Sequence, residues 1–200
     1  MMAGHSSIKG DVKGPTPDPS PRGGGEQSEL SRAAIIAEAR SWIGTPYQHQ
    51  ASLKGVGCDC LGLVRGVWRA MLGPEPETIP GYSSDWGEVA AQETMLAAAR
   101  RHLIEIDPTA AEAGDVLVFR MRPGRVAKHA GILSGCAPPT PALPHKGGGR
   151  LRFIHAQEGG PVCEVALSPW WLRRLAGVFA FPGVLPPQGL QDRDLHVPAT

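Results

Sequence analysis

The chain has 200 residues, of which 42% are hydrophobic, which is enough for one domain with a substantial core and hardly enough for two. The formal net charge is +1 and no basic stripe is interleaved with aromatic residues, which argues against nucleic acid or an anionic membrane surface as a partner. No apolar run approaches the roughly 20 residues that a membrane-spanning helix needs. The N-terminal stretch MMAGHSSIKGDVKG lacks the apolar segment of a signal peptide, so we expect synthesis in the cytoplasm.

Helical periodicity marks three segments in the first half of the chain, at residues 29–43, 60–72 and 85–103. The first ends at Gly44 and the second at Gly73, both suitable residues for a helix C-terminus. Short β-like runs then replace the helices, and they cover residues 115–121, 129–134, 151–156, 162–167 and 175–181. Helices followed by strands predict an α+β fold with an antiparallel sheet.

Two stretches rich in proline and glycine share a pattern. PTPDPSPRGGGE at residues 15–26 aligns without gaps with PTPALPHKGGGR at residues 139–150. Two short copies are too few for a solenoid, so we interpret them as a repetitive element inserted twice at exposed positions. The predicted organisation is a disordered tail at 1–28, one domain at 29–183 with a disordered insertion at about 136–150, and a loose tail at 184–200.

The four cysteines, Cys58, Cys60, Cys136 and Cys163, are expected to be thiols rather than disulfides in a chain without a signal peptide. Cys58 and Cys60 flank Asp59 in the stretch GVGCDCLGLV. Asp59 is a candidate N-cap, which places Cys60 in the first turn of a helix, where the helix dipole favours a thiolate. Cys60 is therefore the candidate nucleophile, and the other three cysteines are expected to be structural.

A thiolate nucleophile needs a base, and the base needs a group that orients it. His129 opens one predicted strand and His155 lies near the end of the next. If the two strands form a hairpin whose loop runs from residue 135 to residue 149, His129 lies directly opposite His155. Their Cβ atoms would then be about 4.5–5.5 Å apart, and a slip of one residue would separate them.

Metal binding and redox chemistry are the alternatives to catalysis for the cysteines and histidines. Cys58 and Cys60 could bind zinc together with the two histidines, but C-x-C is not the usual C-x₂₋₄-C ligand spacing and no second cysteine pair follows. A redox pair lacks the βαβ context of thioredoxin-like proteins. We therefore expect no metal and no cofactor. The pair Trp170-Trp171 is expected to close an edge of the sheet rather than to bind sugar.

Several motifs together resemble a known family. They are GTPY, GCDCLGLV, AGDVLVF, HAGIL and FIHA, within roughly residues 30–181, and in order and spacing they are similar to the NlpC-type cell-wall cysteine peptidases. The resemblance implies a papain-like fold, in which N-terminal helices pack on a central antiparallel sheet and the nucleophile lies at a helix N-terminus. It also implies cleavage of peptidoglycan stem peptides, typically between D-glutamate and diaminopimelate.

The resemblance assigns roles by position. It makes Cys60 the nucleophile, His129 the general base and His155 the residue that orients the base. Tyr47 matches a tyrosine beside the nucleophile, and Asp59 matches an acidic residue on the substrate side. No metal takes part in this set.

Two departures from the family pattern lie near its substrate groove. Leu61 replaces the serine that usually follows the nucleophile, and Gln-His-Gln at residues 48–50 replaces Trp-Gly-Gly. Both bear on which bond is cut. The predicted substrate-binding residues are Asp59, Tyr47 and Leu61.

The form HQASLKGVGCDC, without a signal peptide or added wall-binding modules, is most similar to the phage-tail or gene-transfer-particle branch. In that branch the particle carries the peptidase to the periplasm or cell wall. The expected partners are the stem peptide and phage-like tail proteins, without nucleic acid or membrane insertion. Two alternatives are a non-catalytic structural or adaptor subunit of a tail tip, and an N-acetylmuramoyl-L-alanine amidase with the same three catalytic residues.

Overall fold

The structure, a computed structural model, describes residues 30–82, 92–136 and 151–184, together with Met1. Apart from Met1, Cys136 and Val184, the two predicted tails and the predicted insertion lie outside the described residues. The first part of the predicted third helix also lies outside them. Within the described ranges, no helix has the length and apolar character that crossing a membrane requires.

The described helices are α1 (Arg32–Ser41), α2 (Cys60–Leu72), α3 (Thr94–His102) and the single turn α4 (Pro169–Leu172). The prediction for α2 is confirmed at both ends, while α1 is shorter than predicted. Helix α3 begins at Thr94, and the carboxylate of the preceding Glu93 accepts hydrogen bonds from Arg120 and from the backbone N–H of Ala127. The short helix α4 was not predicted.

The strands are β1 (Ser52–Leu53), β2 (Gly57–Cys58), β3 (Ile104–Ile106), β4 (Val116–Phe119), β5 (His129–Cys136), β6 (Leu151–His155), β7 (Cys163–Ala166) and β8 (Leu175–Ala180). Strands β1 and β2 form a small antiparallel pair. The other six form one antiparallel sheet in the order β3-β8-β4-β5-β6-β7. The predicted α+β architecture with an antiparallel sheet is confirmed, whereas β1, β2 and β3 were not predicted.

The predicted register of the β5–β6 hairpin is wrong by two residues. Ile132 pairs with Ile154 and Leu133 with Phe153, so His155 does not lie directly opposite His129. Because alternate residues of a strand share a face, a shift by two residues preserves the face on which each side chain lies. The two histidines are therefore diagonal neighbours on one face.

Hydrophobic clusters cover both faces of the sheet, because neighbouring residues of β4 point in opposite directions. Helices α1, α2 and α3 pack against one face, with Val116 and Val118 beneath them. Leu117 and Phe119 join a second cluster on the other face, which includes Trp171 of α4. The site described below lies where α2 meets the start of β5.

Two glycines allow other segments to pack directly on α2. A Cβ atom at Gly62 would lie 1.9 Å from the carbonyl oxygen of Ala51, and one at Gly66 would lie 2.0 Å from the Trp42 ring. The loop before β1 and the end of α1 therefore contact the backbone of α2. These contacts fix the N-terminus of α2 relative to the sheet.

Candidate active site

Cys60 occupies the first position of α2, as the sequence predicted. Asp59 is its N-cap, with extended backbone, and its Oδ1 accepts a hydrogen bond of 2.7 Å from the backbone N–H of Gly62. The partly buried Cys60 thiol lies 3.9 Å from the carbonyl oxygen of Lys128, and the backbone N–H of Ala130 also reaches it. The sulfur is thus packed against the backbone on both sides of His129.

The expectation that Cys60 rests as a thiolate is wrong. Burial, and to a lesser extent the negative charge of Asp59, raise the pKa of the Cys60 thiol to about 12. Backbone N–H groups at the helix start and at Ala130 act in the opposite direction, but their effect is smaller. Removal of the thiolate from water therefore outweighs the helix N-terminus, and Cys60 is a neutral thiol at neutral pH.

His129 and His155 form a hydrogen-bonded pair. His129 Nε2 lies 3.0 Å from His155 Nδ1, the rings are nearly perpendicular, and both side chains are buried. Burial lowers the pKa of His129 to about 3 and that of His155 to about 4, with His155 also disfavouring the charged form of His129. Both imidazoles are therefore neutral at neutral pH, and one donates the shared hydrogen.

The hydrogen-bond pattern limits the tautomers that suit a general base. If His129 donates from Nε2 to His155 Nδ1, its own Nδ1 is the basic nitrogen. His155 then carries its hydrogen on Nε2, which lies 3.9 Å from the sulfur of Cys163. Cys163, expected to be structural, thus lies at the far end of the histidine pair.

Trp171 is a residue of the site to which the sequence assigned no role there. Its ring stacks on His129 with centroids 5.4 Å apart and meets the His155 ring edge-on at 5.2 Å. Phe119 and Phe153 pack against the same tryptophan. This aromatic surrounding excludes water from both imidazoles, whereas the neighbouring Trp170 is 43% exposed.

The Asp59 carboxylate has further donors besides the N–H of Gly62. Oδ2 accepts hydrogen bonds from the backbone N–H of Gln50 at 2.7 Å and from the hydroxyl of Tyr82 at 2.5 Å. His49 Nδ1 lies 3.6 Å from the same oxygen. Asp59 is 3% exposed. Tyr82 was not among the predicted site residues, since nothing in the sequence indicates that it reaches Asp59.

The other two predicted substrate-binding residues lie close to the thiol. Tyr47 is partly buried and forms an isolated bridge with Cys58, and its pKa is raised by burial and by the charge of Asp59. Leu61 lines an apolar cavity of about 280 Å³ between α2, α3 and residues 75–80. Substrate binding by these residues stays a prediction. Within the described ranges, no group of three or more His, Cys, Asp or Glu side chains could hold a metal ion.

The fold and the site define a class of protein. A cysteine at a helix N-terminus, an antiparallel sheet and a hydrogen-bonded histidine pair on two strands of that sheet are features of the papain-like cysteine peptidases. The sequence profile of the NlpC/P60 family matches residues 44–179, which is more than half of the chain. The chain therefore belongs to the NlpC/P60 family and is a cysteine peptidase of the peptidoglycan-hydrolysing type.

Several solved structures are similar to this chain. An NlpC/P60 family protein from Bacillus cereus ATCC 10987 is 19% identical with a TM-score of 0.51, over 76% of this chain and 40% of that one. The NlpC/p60 domain of the peptidoglycan hydrolase SagA is 24% identical with a TM-score of 0.48, over 76% of this chain and 100% of that domain.

A lipoprotein-like NLP/P60 family protein from Staphylococcus aureus subsp. aureus Mu50 is 22% identical with a TM-score of 0.45, over 82% of this chain and 45% of that one. The chain thus spans less than half the length of the Bacillus and Staphylococcus proteins. The Bacillus structure supports the papain-like fold. No curated protein matched the chain.

Proposed function

We propose that Cys60, His129 and His155 catalyse hydrolysis of peptidoglycan stem peptides, and that the bond cut lies between D-glutamate and diaminopimelate. The observation that carries the proposal is the 3.0 Å hydrogen bond between the buried side chains of His129 and His155. His129 begins β5, and the Cys60 sulfur lies 3.9 Å from the carbonyl oxygen of the preceding Lys128. Membership of the NlpC/P60 family supports the substrate class. The choice of bond is supported by the motif resemblance.

Acylation begins with a neutral thiol and a neutral imidazole. His129 Nδ1 takes the Cys60 proton as Sγ attacks the carbonyl carbon of the scissile bond, and the resulting imidazolium donates through Nε2 to His155. The tetrahedral intermediate collapses when His129 returns the proton to the leaving amine, which breaks the C–N bond. The products of this step are the free amine and a thioester on Cys60.

Deacylation uses the same base. His129 takes a proton from water as the water oxygen attacks the thioester carbonyl, and Cys60 leaves with the proton that His129 returns. The second product is the D-glutamyl carboxylate. The charge that develops on the carbonyl oxygen is stabilised by the backbone N–H of Cys60 at the start of α2, with the Tyr47 hydroxyl as a second donor.

Substrate binding is assigned to Tyr47, Leu61 and the vicinity of Asp59. Leu61 directly follows the nucleophile and lines the apolar cavity between α2, α3 and residues 75–80, which supports an apolar contact with substrate. The Asp59 carboxylate is already engaged by three donors, so a direct contact with substrate requires one of them to be exchanged.

The peptidase is proposed to act in the periplasm or cell wall as part of a phage-like particle, with tail proteins as its partners. The support for this setting is the form of the motif around Cys60. The particle would deliver the peptidase to the wall, where a local cut in the stem peptide opens a passage.

Mass spectrometry of diaminopimelate-containing peptidoglycan, digested with the purified chain, tests the proposal. We expect fragments that end in a D-glutamyl carboxylate, together with fragments that begin with a free diaminopimelate amine. Intact stem peptides released from muramic acid would contradict the proposal in favour of an amidase. Absence of new fragments from a folded chain would contradict it in favour of an adaptor subunit.

A further inference from the structure

Asp59 is the charged group next to the thiol, and its carboxylate is held from three sides. The backbone N–H of Gly62 binds Oδ1 from the first turn of α2, and the backbone N–H of Gln50 binds Oδ2 from the loop before β1. The third donor is the Tyr82 hydroxyl at 2.5 Å, which comes from a segment far along the chain. Tyr82 therefore supplies the side-chain hydroxyl that completes this carboxylate's hydrogen bonds.

Tyr82 is itself fixed by the loop that departs from the family pattern. Gln50 donates a side-chain hydrogen bond of 2.5 Å to the Tyr82 carbonyl oxygen, and His49 Nε2 lies 2.9 Å from the same oxygen. The rings of His49 and Tyr82 also pack edge to face, 5.1 Å apart. A carbonyl accepts only, so His49 carries its hydrogen on Nε2.

The loop that contacts Tyr82 has an unusual backbone conformation at Gln50. Gln50 has φ of +63°, a conformation that residues other than glycine rarely adopt and that costs about 1 kcal/mol or more. This conformation accompanies two contacts, since the Gln50 N–H binds Asp59 while its side chain binds the Tyr82 carbonyl. His49 and Gln50, two of the three residues that differ from the family's Trp-Gly-Gly, thus hold Tyr82 on Asp59.

We propose that Tyr82 is a positioning residue of the reaction, whose hydroxyl holds the Asp59 carboxylate at the head of α2 and disperses its charge beside Cys60. The inference rests on the proposed role of Cys60 as the nucleophile. Tyr82 acts through Asp59, because the hydroxyl withdraws charge from the oxygen that would otherwise repel the developing thiolate. It also keeps Asp59 in place as the N-cap of α2, and this fixes the position of the backbone N–H of Cys60.

Several titratable groups surround the thiol. Asp59 precedes it in the cap, and His49 Nδ1 lies 3.6 Å from the Asp59 Oδ2. Tyr47 approaches from the loop after α1, and Tyr82 approaches from the far side of Asp59. His129 and Lys128 belong to the strand start on which the sulfur packs. Among these groups, Tyr82 is the one that bonds the Asp59 carboxylate through its hydroxyl, so loss of that hydroxyl is the cleanest perturbation.

The test measures iodoacetamide alkylation of Cys60 across pH, resolved by peptide mass spectrometry, in the wild-type chain, Tyr82→Phe, Asp59→Asn and the double variant. Tyr82→Phe should raise the pH midpoint by half a unit to one unit, which lowers the rate at pH 8 by about 3-fold to 10-fold. Asp59→Asn, which keeps a capping side chain, should lower the midpoint. Adding Tyr82→Phe to Asp59→Asn should cause no further shift, and Cys163 on β7 serves as the internal reference.

An unchanged pH dependence of Cys60 alkylation in Tyr82→Phe would overturn the proposal. So would a shift of the midpoint by Tyr82→Phe that is equally large in the wild-type chain and in Asp59→Asn. Kinetics on stem peptides give a second readout, in which we expect Tyr82→Phe to lower kcat with KM unchanged. A raised KM with an unchanged alkylation profile would mean that Tyr82 contacts substrate instead. Alkylation does not require turnover, so failure of this proposal is distinguishable from failure of the peptidase assignment.

Discussion

At the scale of single residues, the site holds a neutral thiol and a neutral imidazole rather than an ion pair. Burial raises the pKa of Cys60 and lowers the pKa of His129 and His155, so the forms without charge predominate at neutral pH. Proton transfer from thiol to imidazole then accompanies attack on the substrate. The hydrogen bond to His155 matters most at that moment, because it is strengthened when His129 becomes charged.

The role of His155 is tested by comparing two substitutions. His155→Asn retains an oxygen that can accept from His129 Nε2, as asparagine does in papain-like Cys-His-Asn sets, and should retain activity within about tenfold. His155→Leu offers no acceptor, and kcat/KM on stem peptides should fall by about 10²-fold to 10³-fold. Equal activity of the two variants would show that His155 does not orient His129.

Part of this site follows from the sequence and part does not. Asp59 as the N-cap and Cys60 as the first helical residue are predictable because capping depends on adjacent residues. His129 and His155 were predicted to meet because alternate residues of a strand lie on the same face of the sheet. The predicted register was wrong by two residues, which leaves both side chains on that face. Trp171 and Tyr82 reach the site only through packing between distant segments, which periodicity does not encode.

At the scale of elements, α2 is the support of the site because other segments pack directly on its backbone. Gly62 lies under the carbonyl of Ala51, and the hydroxyl of Ser52 donates to the Gly62 carbonyl at 2.6 Å. The loop that carries Gln50 is thereby fastened to the turn that follows Cys60. The position of the Asp59 cap depends on this close approach.

Gly62→Ala tests the close contact between the backbone of α2 and the Ala51 carbonyl. The new Cβ would lie 1.9 Å from the Ala51 carbonyl oxygen, so the loop must move. We expect a loss of about 1–3 kcal/mol in the free energy of unfolding, measured by urea denaturation, together with a lower rate of Cys60 alkylation. The matched control is Gly160→Ala, where nothing lies within 4 Å of the added Cβ. Equal stability of the two variants would contradict the packing described.

The elements differ in how far the sequence defines them. Both ends of α2 were predictable, since Asp59 caps one end and Gly73 stops the other. The β5–β6 register was not, because an irregularity between Leu133 and Gly135 shifts the pairing and the predicted loop length was assumed. The contacts that Glu93 makes with Arg120 and Ala127 before α3 join distant segments, and no local pattern shows them.

At the scale of the whole molecule, the buried histidine pair links function to acid stability. Both imidazoles have a pKa below the value of about 6.5 expected in the unfolded chain. Between these values the unfolded state binds more protons than the folded state, so stability rises with pH. The folded chain therefore loses stability as the pH falls from about 6.5 towards 4.

The thermal midpoint at pH 6.5 and at pH 5 measures this linkage. Most carboxylates stay ionised between pH 6.5 and pH 5. Protonation of the two histidines in the unfolded chain should lower the free energy of unfolding by at most about 3 kcal/mol over this range. The double variant His129→Gln with His155→Gln should have a thermal midpoint that changes less between pH 6.5 and pH 5. An equally steep fall in the double variant would show that other groups cause the acid sensitivity.

The most direct test of the account compares two cysteines that lie one residue apart. Cys58 is fully buried in β2 with its pKa raised to about 11, whereas Cys60 begins α2 beside the start of β5. The measurement is the mass-spectrometric yield of D-glutamyl-ended fragments from diaminopimelate-containing peptidoglycan, with Cys60→Ala and Cys58→Ala beside the wild-type chain. We predict that Cys60→Ala yields no fragments above background while Cys58→Ala, confirmed as folded, retains cleavage. Cleavage that persists in Cys60→Ala, or that disappears only in folded Cys58→Ala, would contradict the account.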